Sequence, residues 1–125
     1  MTRAVLEGVT FGMRDCLDLV RGAGVRPDVI RLSGGGAKGP YWRRLCAEVF
    51  DCTTATTTTT EGTAFGAALL AAVGSGFWPD VPTACDAVVR LADTIDPGED
   101  AERYHALHAR YHALYPALRD WWSTG

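Results

Sequence analysis

The chain has 125 residues, 47% of them hydrophobic and 22% charged, with a net charge of −3. That length allows one domain at most, and the composition is that of a globular chain able to bury a core. With no basic block, nucleic acid is not an expected partner, and the apolar run over 64–73 is too short to span a bilayer.

Residues 2–23 read as one long helix. Val5, Val9, Met13, Cys16, Leu17 and Val20 recur at helical spacing, with Arg3, Glu7, Arg14, Asp18 and Arg21 mostly elsewhere. Gly8 and Gly12 lie four apart, which suggests close packing against a neighbouring element. Glu7 reads as a solvated helix position rather than a functional carboxylate. Gly24 stops the helix, and Pro27 and Asp28 lead into a short buried strand, Val29–Leu32.

A glycine turn follows over 33–39, and Pro40 stands near the first position of a helix reaching about Phe50, where its missing N–H is not needed. The spacing turns Tyr41, Leu45, Cys46 and Val49 inward and Arg43, Arg44 and Glu48 outward, with Trp42 at the edge of the core. Residues 53–60 are nearly all threonine; β-branching makes them a short strand paired beside Val29–Leu32. Glu61 and Gly62 then lead into a helix of small residues, 67–73, apolar almost all round and therefore expected to be buried. Gly74, Ser75 and Gly76 end it.

Residues 77–82 are turn-rich, Thr83 can cap a helix over 84–91, and 94–97 is extended. Asp100 or Gly98 starts the last helix, Ala101–Trp122, whose stripe of Tyr104, Leu107, His108, Tyr111, Leu114, Tyr115 and Leu118 is a packing face. His105, His108 and His112 fall at three- and four-residue steps, but no acidic partner is evident from the sequence, so no metal ligands are expected. The cysteines, Cys16, Cys46, Cys52 and Cys85, form no C-x-x-C pair and sit among apolar neighbours. They read as buried free thiols in a reducing cytoplasm, and no leader is visible before the first helix.

Chemistry concentrates at the glycine turn. Gly34, Gly35 and Gly36 have no side chains to hold a ligand away from the main chain, and the helix behind them offers N–H groups and the positive end of its dipole. That combination suits a nucleotide; the alternative is a tight turn with no ligand. No nucleophile elbow, H-E-x-x-H or Walker A pattern is present. Gly34, Gly36 and Gly39 do satisfy G-x-G-x-x-G, which raises a dinucleotide-binding oxidoreductase as the runner-up. Against it stand the long helix before the strand, the bulk of Pro40, Tyr41 and Trp42, and the lack of an acidic residue about 20 positions on.

Taken together, these segments resemble the C-terminal part of the FGGY family of carbohydrate kinases, xylulokinases most closely. Residues 3–12 resemble the end of that family's second signature and the helix it opens. Gly34, Gly35, Gly36, Ala37, Lys38, Gly39, Pro40, Tyr41, Trp42 and Arg43 are similar to its adenosine motif. Residues 61–71 match the helix rich in glycine and alanine that follows, and Tyr104, Tyr111 and Leu118 resemble its closing helix.

The resemblance implies an α/β fold, part of an actin-like (ribonuclease H-like) ATPase domain, with two or three mostly parallel strands and long packing helices. It implies that Gly35, Gly36 and Ala37, within the set Gly34, Gly35, Gly36, Ala37 and Gly39, contact the adenosine or α-phosphate region of ATP, with Mg²⁺ carried on the phosphates. Gly39 stands where relatives often have Asn or Ser able to hydrogen-bond adenine. The implied reaction is transfer of the ATP γ-phosphate to a sugar hydroxyl, D-xylulose being the expected acceptor. Sugar contacts and the catalytic aspartate belong to a domain outside this chain, so no catalytic residue is expected here. The chain is expected to be inactive alone and to form homo-oligomers or pair with the missing half. A non-catalytic interaction module is the other alternative.

Overall fold

The computed structural model describes residues 1–59 and 62–123. In chain order it runs α1 (Thr2–Gly22), β1 (Val29–Leu32), a 3-10 turn (Gly36–Lys38), α2 (Pro40–Phe50), β2 (Thr53–Thr57), α3 (Gly62–Gly74), α4 (Val81–Val88), β3 (Leu91–Ile95) and α5 (Ala101–Trp122). The expected β1–α2–β2 unit is present: β1 and β2 pair in parallel, Val29 opposite Thr53 and Leu32 opposite Thr56. The threonine run is therefore the central strand. β3 pairs antiparallel on its other side, Thr54 opposite Ile95, so the small sheet is mixed. Thr60 and Glu61, the end of the run and the first residue of the next segment, lie outside the described residues.

α1 ends as its glycine demands. Gly24 has φ +92, its N–H donates to the Arg21 carbonyl at 3.0 Å, and the Val25 N–H donates to Val20 at 3.3 Å, a left-handed helix stop. The face that α1 buries differs from the expected one. Thr10, Phe11 and Arg14 are buried, with Leu6 and Leu17 against the same cluster, whereas Val5, Val9, Met13 and Val20 are exposed. Both stripes obey the helical period and are offset by one residue, about 100°. Of the two glycines, Gly12 approaches the Tyr111 hydroxyl of α5, but nothing packs over Gly8.

α2 is the hub of the core. Leu45, Cys46, Val49 and Phe50 join Phe11 of α1, Cys52 and Tyr104 of α5 in one cluster. Two expectations reverse here: Tyr41 is 49% exposed, and Glu48 is 4% exposed. Glu48 is tolerated inside because it accepts the Gly98 N–H at 2.9 Å and pairs with Arg44 at 2.9 Å. The end of α2 is closed from α1: Arg14 donates to the Val49 carbonyl and Arg21 to the Phe50 carbonyl at 2.8 Å, while Asp51 takes the left-handed conformation. These arginines, expected on the solvent face, satisfy carbonyls that a helix end leaves open.

α3 overturns another expectation. None of its residues is buried, and Leu70 is 61% exposed, even though the helix is apolar almost all round. It packs on α4. The cap of α4 is Asp80 rather than Thr83: the Asp80 carboxylate accepts the Thr83 N–H at 2.8 Å, and the helix ends at Val88, so Leu91 begins β3 instead. On α5 the first half of the stripe packs, with Tyr104 and His108 buried, and the second half, from Leu114 to Leu118, is exposed. Cys46 and Cys52 are buried as expected, Cys16 is exposed and Cys85 half-buried; all four are free.

Candidate nucleotide cleft

The glycine turn caps the carboxyl end of β1, and each glycine in it has its own reason. Gly34 has φ +84, a conformation that side chains rarely adopt. A Cβ on Gly36 would lie 1.8 Å from Cζ3 of Trp42, whose indole N–H is tied to the Thr10 hydroxyl at 3.1 Å. Gly36 therefore admits the indole, which corrects the expectation that its bare face is kept open for a ligand. A Cβ on Gly39 would make ordinary contact with the Gly36 carbonyl at 3.5 Å. At Gly35, with φ −61 and ψ −38 and nothing within 4 Å, the fold has no need of a glycine.

The amides of the turn are partly spent. Ala37, Lys38 and Gly39 N–H groups donate to the carbonyls of Gly34, Gly35 and Gly36 at 3.2, 3.2 and 3.0 Å. The turn is thus a self-satisfied 3-10 bend whose three donors are spent within it. The Arg43 N–H bonds to Gly39, closing the first turn of α2 at 3.1 Å.

Beside this bend lies a cleft of about 410 Å³. Leu32, Ser33, Gly34, Ala37 and Lys38 form one wall; Thr56, Thr57, Thr58 and Thr59 form the other, with Arg43, Ala92 and Asp93 completing it. It opens at the carboxyl ends of the two parallel strands, the place where open α/β sheets take their ligands. Its volume falls in the range of small-molecule sites. Of the five expected site residues, Gly34 and Ala37 line the cleft. Gly36 and Ala37 line an adjoining slot of about 80 Å³ with Trp42, Met13 and Cys46. Gly35 and Gly39 line neither.

The threonine wall was missed as a site feature in the sequence, where the run carried only a strand signal; its position after a strand parallel to β1 was the available clue. Lys38 is exposed at the cleft, while Arg43 is held by Asp93 at 2.8 Å. Among the described residues Asp93 is the one carboxylate on the cleft wall, and it is engaged in that pair.

The family pattern described as the C-terminal domain of the FGGY family of carbohydrate kinases matches residues 1–75. The chain belongs to the FGGY family of carbohydrate kinases. Along its length it is similar to a xylulose kinase of Staphylococcus epidermidis, 32% identical over 116 residues, which is 93% of this chain and 23% of that protein. Its fold matches the ligand-bound xylulose kinase of Lactobacillus acidophilus at a TM-score of 0.85 and 26% identity, over 95% of this chain and 24% of that one. A gluconate kinase from the same organism matches at 0.84 and 26% identity, over 94% of this chain and 24% of that one. The chain thus spans about a quarter of the length of the FGGY kinases it matches. Family membership sets the dinucleotide reading of Gly34, Gly36 and Gly39 aside, and the packing of Trp42 under Gly36 supplies a different reason for the middle glycine. Among the described residues no helix is long and apolar enough to cross a membrane.

Proposed function

We propose that this chain is the nucleotide-holding portion of a sugar kinase and that the cleft between the glycine turn and the threonine wall takes the adenosine end of ATP. The parent reaction is transfer of the γ-phosphate to a sugar hydroxyl, with D-xylulose the acceptor suggested by the relatives' names. The observation that carries the reading is the cleft's place, at the carboxyl ends of β1 and β2 and against the segment similar to the family's adenosine motif.

Lys38 is the cation placed for a phosphate oxygen. Mg²⁺ would ride on the phosphates and water, because the one carboxylate among the described cleft residues, Asp93, is paired with Arg43. Phosphoryl transfer needs nucleotide, metal and acceptor hydroxyl held together, and the acceptor side belongs to a domain beyond this chain. The isolated chain therefore binds nucleotide without phosphorylating sugar. A cytoplasmic location is part of the reading, supported by four unpaired thiols.

Calorimetric titration of the chain with ATP, and separately with NAD, tests this. ATP is expected to bind more tightly. Thr58, exposed on the cleft wall, can accept bulk without entering the core. Thr58→Trp is expected to weaken ATP at least about tenfold, near 1.4 kcal/mol, with an unchanged circular dichroism spectrum. Equal ATP affinity in that variant, or a preference for NAD, rejects the assignment.

A further inference from the structure

Away from the cleft, α1 and α5 meet at a cluster that the proposed nucleotide site does not use. His108 Nε2 lies 2.6 Å from Asp15 Oδ1, and His112 Nε2 lies 2.8 Å from the same oxygen. The acidic partner that the histidine spacing lacked in the sequence is supplied by the first helix. The ligating atoms of the three residues all lie within 4.8 Å of one another.

We propose that Asp15, His108 and His112 form a binding site for a zinc-class divalent cation that fastens the C-terminal helix to α1. Residues four apart on a helix share a face, so His108 and His112 bring their rings together edge to face, centroids 4.9 Å apart. Two imidazoles and a carboxylate are a donor set that zinc accepts as three protein ligands, with water in the fourth position.

The geometry needs side-chain adjustment, but no movement of either helix is called for by these distances. Two ligand atoms on a tetrahedral zinc, each 2.0–2.1 Å from the metal, stand about 3.3 Å apart. His108 Nε2 must therefore draw back from Asp15 by about 0.7 Å and His112 Nε2 by about 0.5 Å, while the two nitrogens, within 4.8 Å of each other, close toward that same spacing. The site also has a dry side and an open side. His108 is buried, with its ring beside Phe11 at 5.7 Å, whereas His112 is 61% exposed and leaves a path for entry. Ligation needs neutral imidazoles, and the cation takes the place that hydrogen-bonded protons hold between the rings and Asp15.

The test uses the full chain, freed of any polyhistidine tag and of metal, and titrated with zinc chloride. Saturable binding of one Zn²⁺ per chain is expected, with a raised thermal midpoint, and Co²⁺ in its place is expected to give visible d–d absorption bands. His112→Ala, a change at an exposed position, should keep the fold by circular dichroism and weaken zinc at least about tenfold. His105→Ala, one turn away and exposed, and Cys16→Ser, at the exposed thiol beside Asp15, should bind as the parent does. No saturable binding, undiminished binding by His112→Ala, or loss of binding on changing His105 or Cys16 overturns the proposal.

Discussion

Gly35 and Gly36 are chemically identical neighbours with opposite tolerances. An alanine at Gly36 drives its Cβ into an indole that Thr10 and the core hold in place. Gly36→Ala is expected to cost about 1–3 kcal/mol, as overpacking does. Gly35→Ala has a conformation any residue adopts and open space around it, and should be neutral or stabilising by about 0.4–1 kcal/mol. Urea denaturation of the two variants checks the contrast. Asp18 gives a pH signature. Burial alone would raise its carboxyl, but Arg14 at 2.9 Å and Arg21 at 3.2 Å outweigh that and hold it below the usual carboxylate value. A lowered carboxylate adds stability above the unfolded pKa, near 3.9, that is lost as pH falls through the lower folded value. Asp18→Asn should therefore lose some stability at pH 7 and none at the acid end. With a side chain 40% exposed, the loss stays under about 1 kcal/mol. Thermal midpoints of parent and variant should converge on acidification; a constant gap would contradict the pairing. Burial pushes the Cys46 thiol up to about 11, so alkylation of the native chain at neutral pH should modify exposed Cys16 and spare Cys46.

At the scale of elements, the local signals were easy to read because they depend on neighbours in sequence. Gly24 stops α1, Pro40 opens α2, and Ala101–Trp122 forms the last helix as the spacing says. What the sequence hid was which face α1 turns inward. On α1 two stripes share the same period, and the one buried carries Thr10 and Arg14 because their polar atoms find partners: Thr10 on Leu6 and Trp42, and Arg14 on the end of α2. Those partners lie on the same helix one turn away or more than thirty residues off, so hydropathy could not weigh them. The cleft was half legible for the same reason. Its glycine wall is a local motif, while its threonine wall exists only through the pairing of β1 with β2. Glu48 shows the cost of a long-range partner. It joins α2 to the segment before α5 through the Gly98 N–H, and Gly98 is small enough to let it approach. Glu48→Ala leaves that amide without its acceptor and is expected to cost about 1–3 kcal/mol. Hydrogen exchange should quicken at Gly98 and the first turns of α5 and stay unchanged in β1 and β2. Uniform change would mean that the contact holds the whole fold rather than one junction.

Across the whole molecule, the apolar surface is distributed as if the core were only one of its burials. Val5, Val9, Met13 and Val20 run along the outer side of α1. Leu70 stands out from α3, none of whose residues is buried, and Leu114, Tyr115 and Leu118 continue the α5 stripe past its packed half. A helix apolar on nearly every side, such as α3, is ordinarily enclosed, and contiguous exposed apolar area marks an interaction surface. The chain spans about a quarter of the kinases it matches, so these faces are expected to be covered by the remainder of a kinase when that remainder is present. In its absence the same surfaces have only other copies of this chain to meet. Expressed alone, the chain is expected to self-associate, with a mass by light scattering that rises with concentration and with strong binding of a hydrophobic dye. Placing a charge on the outer stripe of α1, as in Val9→Glu, touches no core contact and should shift the population toward monomer while leaving the circular dichroism spectrum unchanged. If the parent chain remains a concentration-independent monomer with little dye binding, its exposed helices are stable in water as they stand. The account of them as uncovered interfaces would then have to be given up, and the nucleotide assignment, which rests on the cleft, would be unaffected.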